Sequence, residues 1–254
     1  MRDLARLILA TAALVPFSGF SQQLAAPEPA RTERRVLLIG DSFVRQSFGR
    51  GLERELSDAG FSVLRRGKGS SGLARPDFFD WSTEGARLMA AFDPAVIVVM
   101  MGGNDGQDLL DRNRRGRVRW GEVEWAERYA ARIQSFVEVL GAGSRRVLWV
   151  ELPPMRGPRF EQKVEYIRGI QRATLARIPS ARYLPTGRLL QTLCVGGAAA
   201  YAVHQPDGVH LTVEAGEALA RLVALRLIPE IEPPELIRDE RPRAALEARP
   251  VGAG

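Results

Sequence analysis

Val36-Leu37-Leu38-Ile39-Gly40-Asp41-Ser42 is the stretch on which the reading of this chain turns. Four consecutive aliphatic residues end abruptly at Gly-Asp-Ser, the pattern of a buried parallel strand. The following segment, Phe43 to Ser57, places Phe48, Leu52 and Leu56 four apart, which predicts a helix. Ser42 therefore falls at a strand-to-helix junction, beyond the carboxyl end of a strand, where open α/β sheets carry their sites. Amides at a helix N-terminus can also stabilise an oxyanion there. Ser42 is a candidate nucleophile on these grounds, although Gly, Asp and Ser are equally at home in an ordinary turn.

The same alternation continues outward from this stretch. Strands are predicted at Arg35–Ile39, Phe61–Leu64, Ala95–Met101, Arg146–Leu152 and Arg182–Leu184. Ala95–Met101 is the most apolar run and hence the central strand. Helices are predicted over Phe43–Ser57, Thr83–Phe92, Glu122–Leu140, Glu161–Ile178 and Val213–Leu227. Strands separated by helices of this length imply an α/β fold, a three-layer α/β/α arrangement with a mostly parallel five-stranded sheet. Such a fold carries many chemistries, so function has to be argued from the site.

Outside the α/β pattern the sequence changes character. Residues 1–21 combine Arg2 and Arg6 with an apolar stretch from Leu7 to Phe17 and small residues near Ser21. That is the layout of a signal peptide, with an uncleaved N-terminal anchor as the competing reading; the apolar stretch is too short to favour a span. Residues 22–34 read as a linker rich in Ala, Pro, Glu and Arg, and 229–254 as a disordered tail of prolines and charges. The expected location is periplasmic or secreted. Cys194 is the single cysteine, so no disulfide forms within the chain; between Leu193 and Val195 it reads as a small hydrophobe.

The 254 residues carry a net charge of +6 and 26% charged side chains. No aromatic-interleaved basic patch or recognition-helix signature accompanies this charge, so it does not indicate nucleic acid. Anionic glycans, phospholipid headgroups or a solvated surface account for it equally well. The run Arg112, Arg114, Arg115, Arg117 and Arg119 follows the central strand; it either grips an anionic substrate, with Arg114 and Arg115 at its centre, or is a solvated loop.

Two further segments lie where they could converge with Ser42, one at a strand end and one in a late loop. Gly102-Gly103-Asn104-Asp105 follows the central strand. Gly102 and Gly103 permit a sharp turn and close approach of backbone to a ligand, and the Asn104 amide is a donor of the type that stabilises a tetrahedral oxyanion. Asp207-Gly208-Val209-His210 precedes the last helix. An Asp and a His three apart in a turn can face the same way, the carboxylate fixing one ring nitrogen and leaving the other to deprotonate a serine. Thr212 suits the N-cap of that helix, with Glu214 in its first turn.

In this order the blocks resemble the SGNH (GDSL-like) hydrolase superfamily, over about Arg35 to Leu227. Within it the chain is similar to a bacterial exported branch catalogued as a domain of unknown function. The resemblance implies a flavodoxin-like SGNH hydrolase fold over 35–228. It implies Ser42 as nucleophile, His210 as base and Asp207 as orienting acid. The oxyanion hole would be the amides of Ser42 and Gly72 with the Asn104 side chain, Gly103 lying alongside. Ser71-Gly72 is the pair that looks like the family's second block, and Phe43 stands where the usual motif has leucine. No cofactor and no metal is implied.

Two other motifs weigh less. Gly67-Lys68-Gly69-Ser70-Ser71-Gly72 is a literal Gly-x-Gly-x-x-Gly, but Pro76 opposes a helix opening there and Asp93 precedes Pro94 rather than ending a strand. Two histidines six apart and one cysteine do not make a metal-ligand set. The expected activity is that of an exported serine esterase acting on small acyl esters, acetyl among them, on cell-envelope glycans. The alternatives are acyl transfer to a sugar hydroxyl and a non-catalytic envelope binding protein on the same scaffold. Oligomeric state is left open by the sequence.

Overall fold

A computed structural model describes residues 34–141, 145–187, 190 and 203–231. The leader, the linker up to residue 33, Cys194 and the chain from residue 232 lie outside the described residues. The first strand, β1 (Arg35–Gly40), is followed by two short pieces of helix, α1 (Ser42–Arg45) and α2 (Ser47–Asp58). Then come β2 (Ser62–Gly67), α3 (Trp81–Phe92) and β3 (Val96–Met100). A two-stranded hairpin, β4 (Leu109–Leu110) and β5 (Arg117–Val118), interrupts the polar excursion before α4 (Val123–Gly141). The described residues end with β6 (Arg146–Val150), α5 (Pro158–Leu175), β7 (Ala181–Leu184) and α6 (Val213–Ile231).

The five main strands form one sheet in the order β2-β1-β3-β6-β7, every neighbouring pair parallel. Both faces are buried, and the alternation along each strand divides the core. Val36 and Leu38 of β1 and Val98 and Met100 of β3 pack with α2 and α6 through Phe48, Leu52, Leu219 and Val223. Leu37 and Ile39, with Ile97 and Val99, pack against Trp81, Tyr129, Ile133 and Phe136 of α3 and α4. Each such fully buried aliphatic side chain contributes roughly 1.5–3 kcal/mol of transfer free energy. That is why these runs contain nothing polar.

Several boundaries differ from the sequence expectation, each for a visible reason. The predicted first helix is broken at Gln46, whose backbone is extended. Gly49 allows α2 to turn back on α1, since a Cβ there would lie 1.8 Å from the Val44 carbonyl oxygen. Strand β2 runs on to Gly67 because Arg65 and Arg66, which interrupt the apolar run, are satisfied on opposite faces: Arg65 Nε donates to Glu53 at 2.6 Å and Arg66 Nε to Glu84 at 2.8 Å. Charges of this kind also protect a sheet edge. Asp80 caps α3 by accepting from the amides of Ser82 and Thr83, which starts that helix at Trp81. Helix α6 continues to Ile231, past the start of the predicted tail. Buried Leu227 anchors its last turns, where Pro229 removes only one N–H.

The contact between α2 and α6 joins the segment after Ser42 to the segment after His210, so it sets the distance between the two residues. It is unusually close. A Cβ on Gly216 would stand 2.1 Å from Ser47 Oγ, and one on Gly51 would stand 2.9 Å from Ala220 Cβ. Gly216→Val should therefore cost about 1–3 kcal/mol of stability through overpacking. Denaturant melts would report that loss. A substitution of the exposed Arg221 on the same helix should leave the stability within about 0.5 kcal/mol of the unaltered chain.

Candidate active site

The order β2-β1-β3 reverses direction at β1, and ligand crevices of open α/β sheets form at that switch point. Ser42 follows β1 and Gly102-Gly103-Asn104 follows β3, so the two segments emerge side by side. Asp41 binds them together. Its side chain is fully buried; Oδ1 accepts from the Phe43 amide at 3.0 Å and Oδ2 from the Gly102 amide at 3.3 Å. Gly102 adopts φ +129°, and a side chain there would strike Gln171 Nε2, which donates to the Met101 carbonyl at 2.9 Å. The turn thus needs glycine for both conformation and space.

Ser42 is the first residue of α1, so its N–H has no carbonyl partner within the helix. Its hydroxyl lies 2.9 Å from Nε2 of His210, and Nδ1 of the same ring lies 2.6 Å from Asp207 Oδ2. With Nδ1 carrying the proton to Asp207, Nε2 is left as the acceptor for the Ser42 hydroxyl. Asp207 Oδ1 accepts from the amides of Val209 and His210 at 2.9 and 3.0 Å, which closes the turn and aims the ring. Gly208 takes φ +71° at its centre. The hydrogen bond from the His210 ring, and after it the amides of Val209 and His210, hold the Asp207 carboxyl down at about 2. It is a carboxylate wherever the imidazole can act as a base.

The turn is fixed from outside as well. The Gln205 amide donates to the His210 carbonyl at 2.8 Å, the Thr212 amide to the Val203 carbonyl at 3.1 Å, and Ser47 Oγ to the Thr212 carbonyl at 3.2 Å. Thr212 Oγ1 accepts from the Ala215 amide, as an N-cap does. The Phe43 ring, on the same helix as Ser42, lies 5.9 Å from that of His210.

Asn104 Nδ2 donates to the Ser71 carbonyl at 3.0 Å, which leaves its second N–H for a ligand. Gly103 lies against Asp41 and Phe43. Gly72 sits in the loop held by Asp105, whose buried carboxylate accepts from the amides of Leu73 and Ala74 at 3.2 and 2.8 Å and from the Tyr129 hydroxyl at 2.7 Å. A Cβ on Gly72 would stand 2.1 Å from Asp105 Oδ1, so the glycine is required by the clamp itself. The helix needed for a dinucleotide site does not open at Gly72; α3 begins only at Trp81.

The arginine run is largely engaged with neighbouring carboxylates. Arg114 Nε and Arg75 Nε both donate at 2.8 Å to Asp77, which Arg75 above all holds down at about 2. Arg112 pairs with Asp80 and Arg117 with Asp108, while Arg115 is exposed and its amide caps on Asn113 Oδ1. Arg114 and Arg115 thus belong to the hairpin's surface; no hydrogen bond joins either to Ser42, Asn104 or His210. Asp41, Asp105, Tyr129 and Gln171 position the site without having been singled out in the sequence. Asp41 and Asp105 stand inside the two motifs, but nothing local marks a carboxylate as destined for full burial.

Burial pushes the Asp41 carboxyl up to about 7, against the amides of Phe43, Gly103 and Gly102 that favour its charged form. Its folded value exceeds the ordinary 3.8, so the folded state binds the proton more tightly than the unfolded chain does. The resulting stability is complete below about pH 4 and lost as pH rises through about 7. The thermal midpoint should accordingly decrease from about pH 5 to about pH 8. Asp41→Asn, which keeps the size and one acceptor, should flatten that slope in a calorimetric series.

Comparison with known proteins adds the fold's relatives to this geometry. The fold is similar to a GDSL-like lipase of Bacteroides thetaiotaomicron, with 17% identity and a TM-score of 0.55 over 80% of this chain and 91% of that one. It is similar to a carbohydrate esterase family 3 protein of Talaromyces cellulolyticus, with 14% identity and a TM-score of 0.53 over 78% and 97%. A carbohydrate acetylesterase family member of Sinorhizobium meliloti gives 17% identity and a TM-score of 0.55 over 78% and 98%. No curated protein matches the chain in sequence. A family model does match, over residues 35–226, nearly the whole α/β unit. The chain has the SGNH hydrolase-like fold and belongs to the family described as "Protein of unknown function (DUF459)".

Proposed function

We propose that the protein is a serine esterase that hydrolyses small acyl esters, acetyl among them, on a cell-envelope glycan reached after export. The observation that carries this reading is the continuous chain of contacts from Asp207 through His210 to the Ser42 hydroxyl, at 2.6 and 2.9 Å. A serine hydroxyl is a weak nucleophile until such a base is hydrogen-bonded to it. His210 Nε2 takes the proton as Ser42 Oγ attacks the ester carbonyl carbon, and the carbonyl electron pair moves onto oxygen. The oxyanion is met by the Ser42 and Gly72 amides and the Asn104 side chain. Collapse breaks the bond to the alcohol, which leaves with the proton from His210. Water, deprotonated by the same nitrogen, then releases the acid and restores Ser42.

Ser42 and the His210 side chain are partly exposed, so an ester carried on a glycan can reach the hydroxyl from solvent. Two structural neighbours, a carbohydrate esterase and a carbohydrate acetylesterase, favour the same class of substrate. The apolar leader at residues 1–21 is the basis for export. Among the described residues no helix is long and apolar enough to cross a membrane.

Ser42→Ala should lower kcat on a chromogenic acetyl ester by at least roughly 10⁴-fold with an unchanged thermal midpoint. Asn104→Ala should cost roughly 10²–10³-fold in kcat with little change in KM, because its donor is used mainly in the transition state. Undiminished turnover by Ser42→Ala would refute the assignment.

A further inference from the structure

A second cavity of about 470 Å³ lies beside the candidate site, within the size range of ligand pockets. Gln107 joins the two. It lines the cavity, and its side-chain amide donates to the backbone carbonyl of Asn104 at 2.5 Å. The charged side chains of the lining are Arg75, Arg117 and Lys163 against Asp108 alone. Arg117 is neutralised by Asp108. Arg75 shares Asp77 with Arg114, so two guanidinium groups face one carboxylate there, and its Nη1 donates to Gln107 Oε1 at 3.1 Å.

Lys163 is the distinctive member. Its ammonium donates to the Gly106 carbonyl at 3.0 Å and lies 5.4 Å from the centroid of the Trp120 ring. No carboxylate pairs with it among the described residues. Trp120 in turn leans edge-on against Trp125, with the half-exposed Tyr166 at the rim. The pocket therefore offers an excess of positive charge fixed by an aromatic wall and a carbonyl, with donors to spare.

We infer that this pocket is a subsite for an anionic group, a carboxylate or phosphate, carried by the sugar that bears the ester. An ammonium held in place by a neutral carbonyl and a ring retains its charge for a ligand, which the paired arginines of the hairpin do not. Gln107 transmits occupancy of the pocket to the loop that presents Asn104. The inference rests on the esterase reading for the meaning of the sugar, but the binding itself does not.

Two-dimensional amide NMR titrations of the intact chain with glucuronate, glucose 6-phosphate and glucose test it. Either anion should shift the amides of Gln107, Trp120 and Lys163 saturably, the shifts weakening with added salt, while glucose leaves them in place. The responding anion tells carboxylate from phosphate. Lys163→Met should raise Kd about tenfold, the scale of one charged hydrogen bond, and Lys163→Arg should restore most of it. Equal Kd in Lys163→Met and the unaltered chain, equal response to glucose, or no saturable shift with either anion would overturn the inference. The ligands carry no ester, so an inactive protein that binds them rejects only the esterase reading. An active esterase whose pocket amides stay still rejects only the subsite.

Discussion

One of the interior carboxyl groups, that of Asp41, keeps two loops from separate strands in register. Backbone amides from the turn after β1 and the turn after β3 converge on it. The strands end at Gly40 and Met100, so the amides of Phe43 and Gly102 lie past the ladder that would otherwise pair them. Burying the amides without an acceptor would be costly, and the amides in turn offset part of the cost of burying the carboxyl, which burial still pushes up to about 7. Gly40 shows how little room this leaves: a Cβ there would stand 1.9 Å from the Met100 carbonyl oxygen.

His210 reaches Ser42 by a different device. Its turn is closed by local hydrogen bonds and seated on the α1–α2 junction, where Gln205 Nε2 donates to Gln46 Oε1 at 3.3 Å. The break in the helix at Gln46 thus provides the contact on which the turn rests. The close approach of α2 and α6 then makes the serine and the histidine parts of one packed unit, although 168 positions separate them. Positions held this way vary little, which keeps the 2.9 Å contact in place.

Charge is used economically around the rim. Asp77, Asp80 and Asp108 each take up an arginine of the hairpin, which converts a run of like charges into a folded β4–β5 edge. Exposed pairs of this sort contribute little stability each, but they decide which cations of the rim already have a carboxylate. Lys163, on α5, comes from outside the run altogether.

The sequence by itself determined the α/β class, the central strand, the strand-end placement of Ser42 and Asn104 and the place of His210 in the loop before the last helix, because buried parallel strands need uninterrupted apolar runs and turns need Gly, Asp and Asn. Local pattern also foretold the Thr212 cap. It could not place β2 beyond Leu64, since Arg65 and Arg66 look polar until Glu53 and Glu84 from two different helices are brought to them. Nor could it separate the engaged arginines of the hairpin from Lys163, or mark Asp41 and Asp105 as interior. Those facts depend on contacts between residues tens of positions apart, and only the packing of helices on the sheet creates the burial and the partners that give each charge its role.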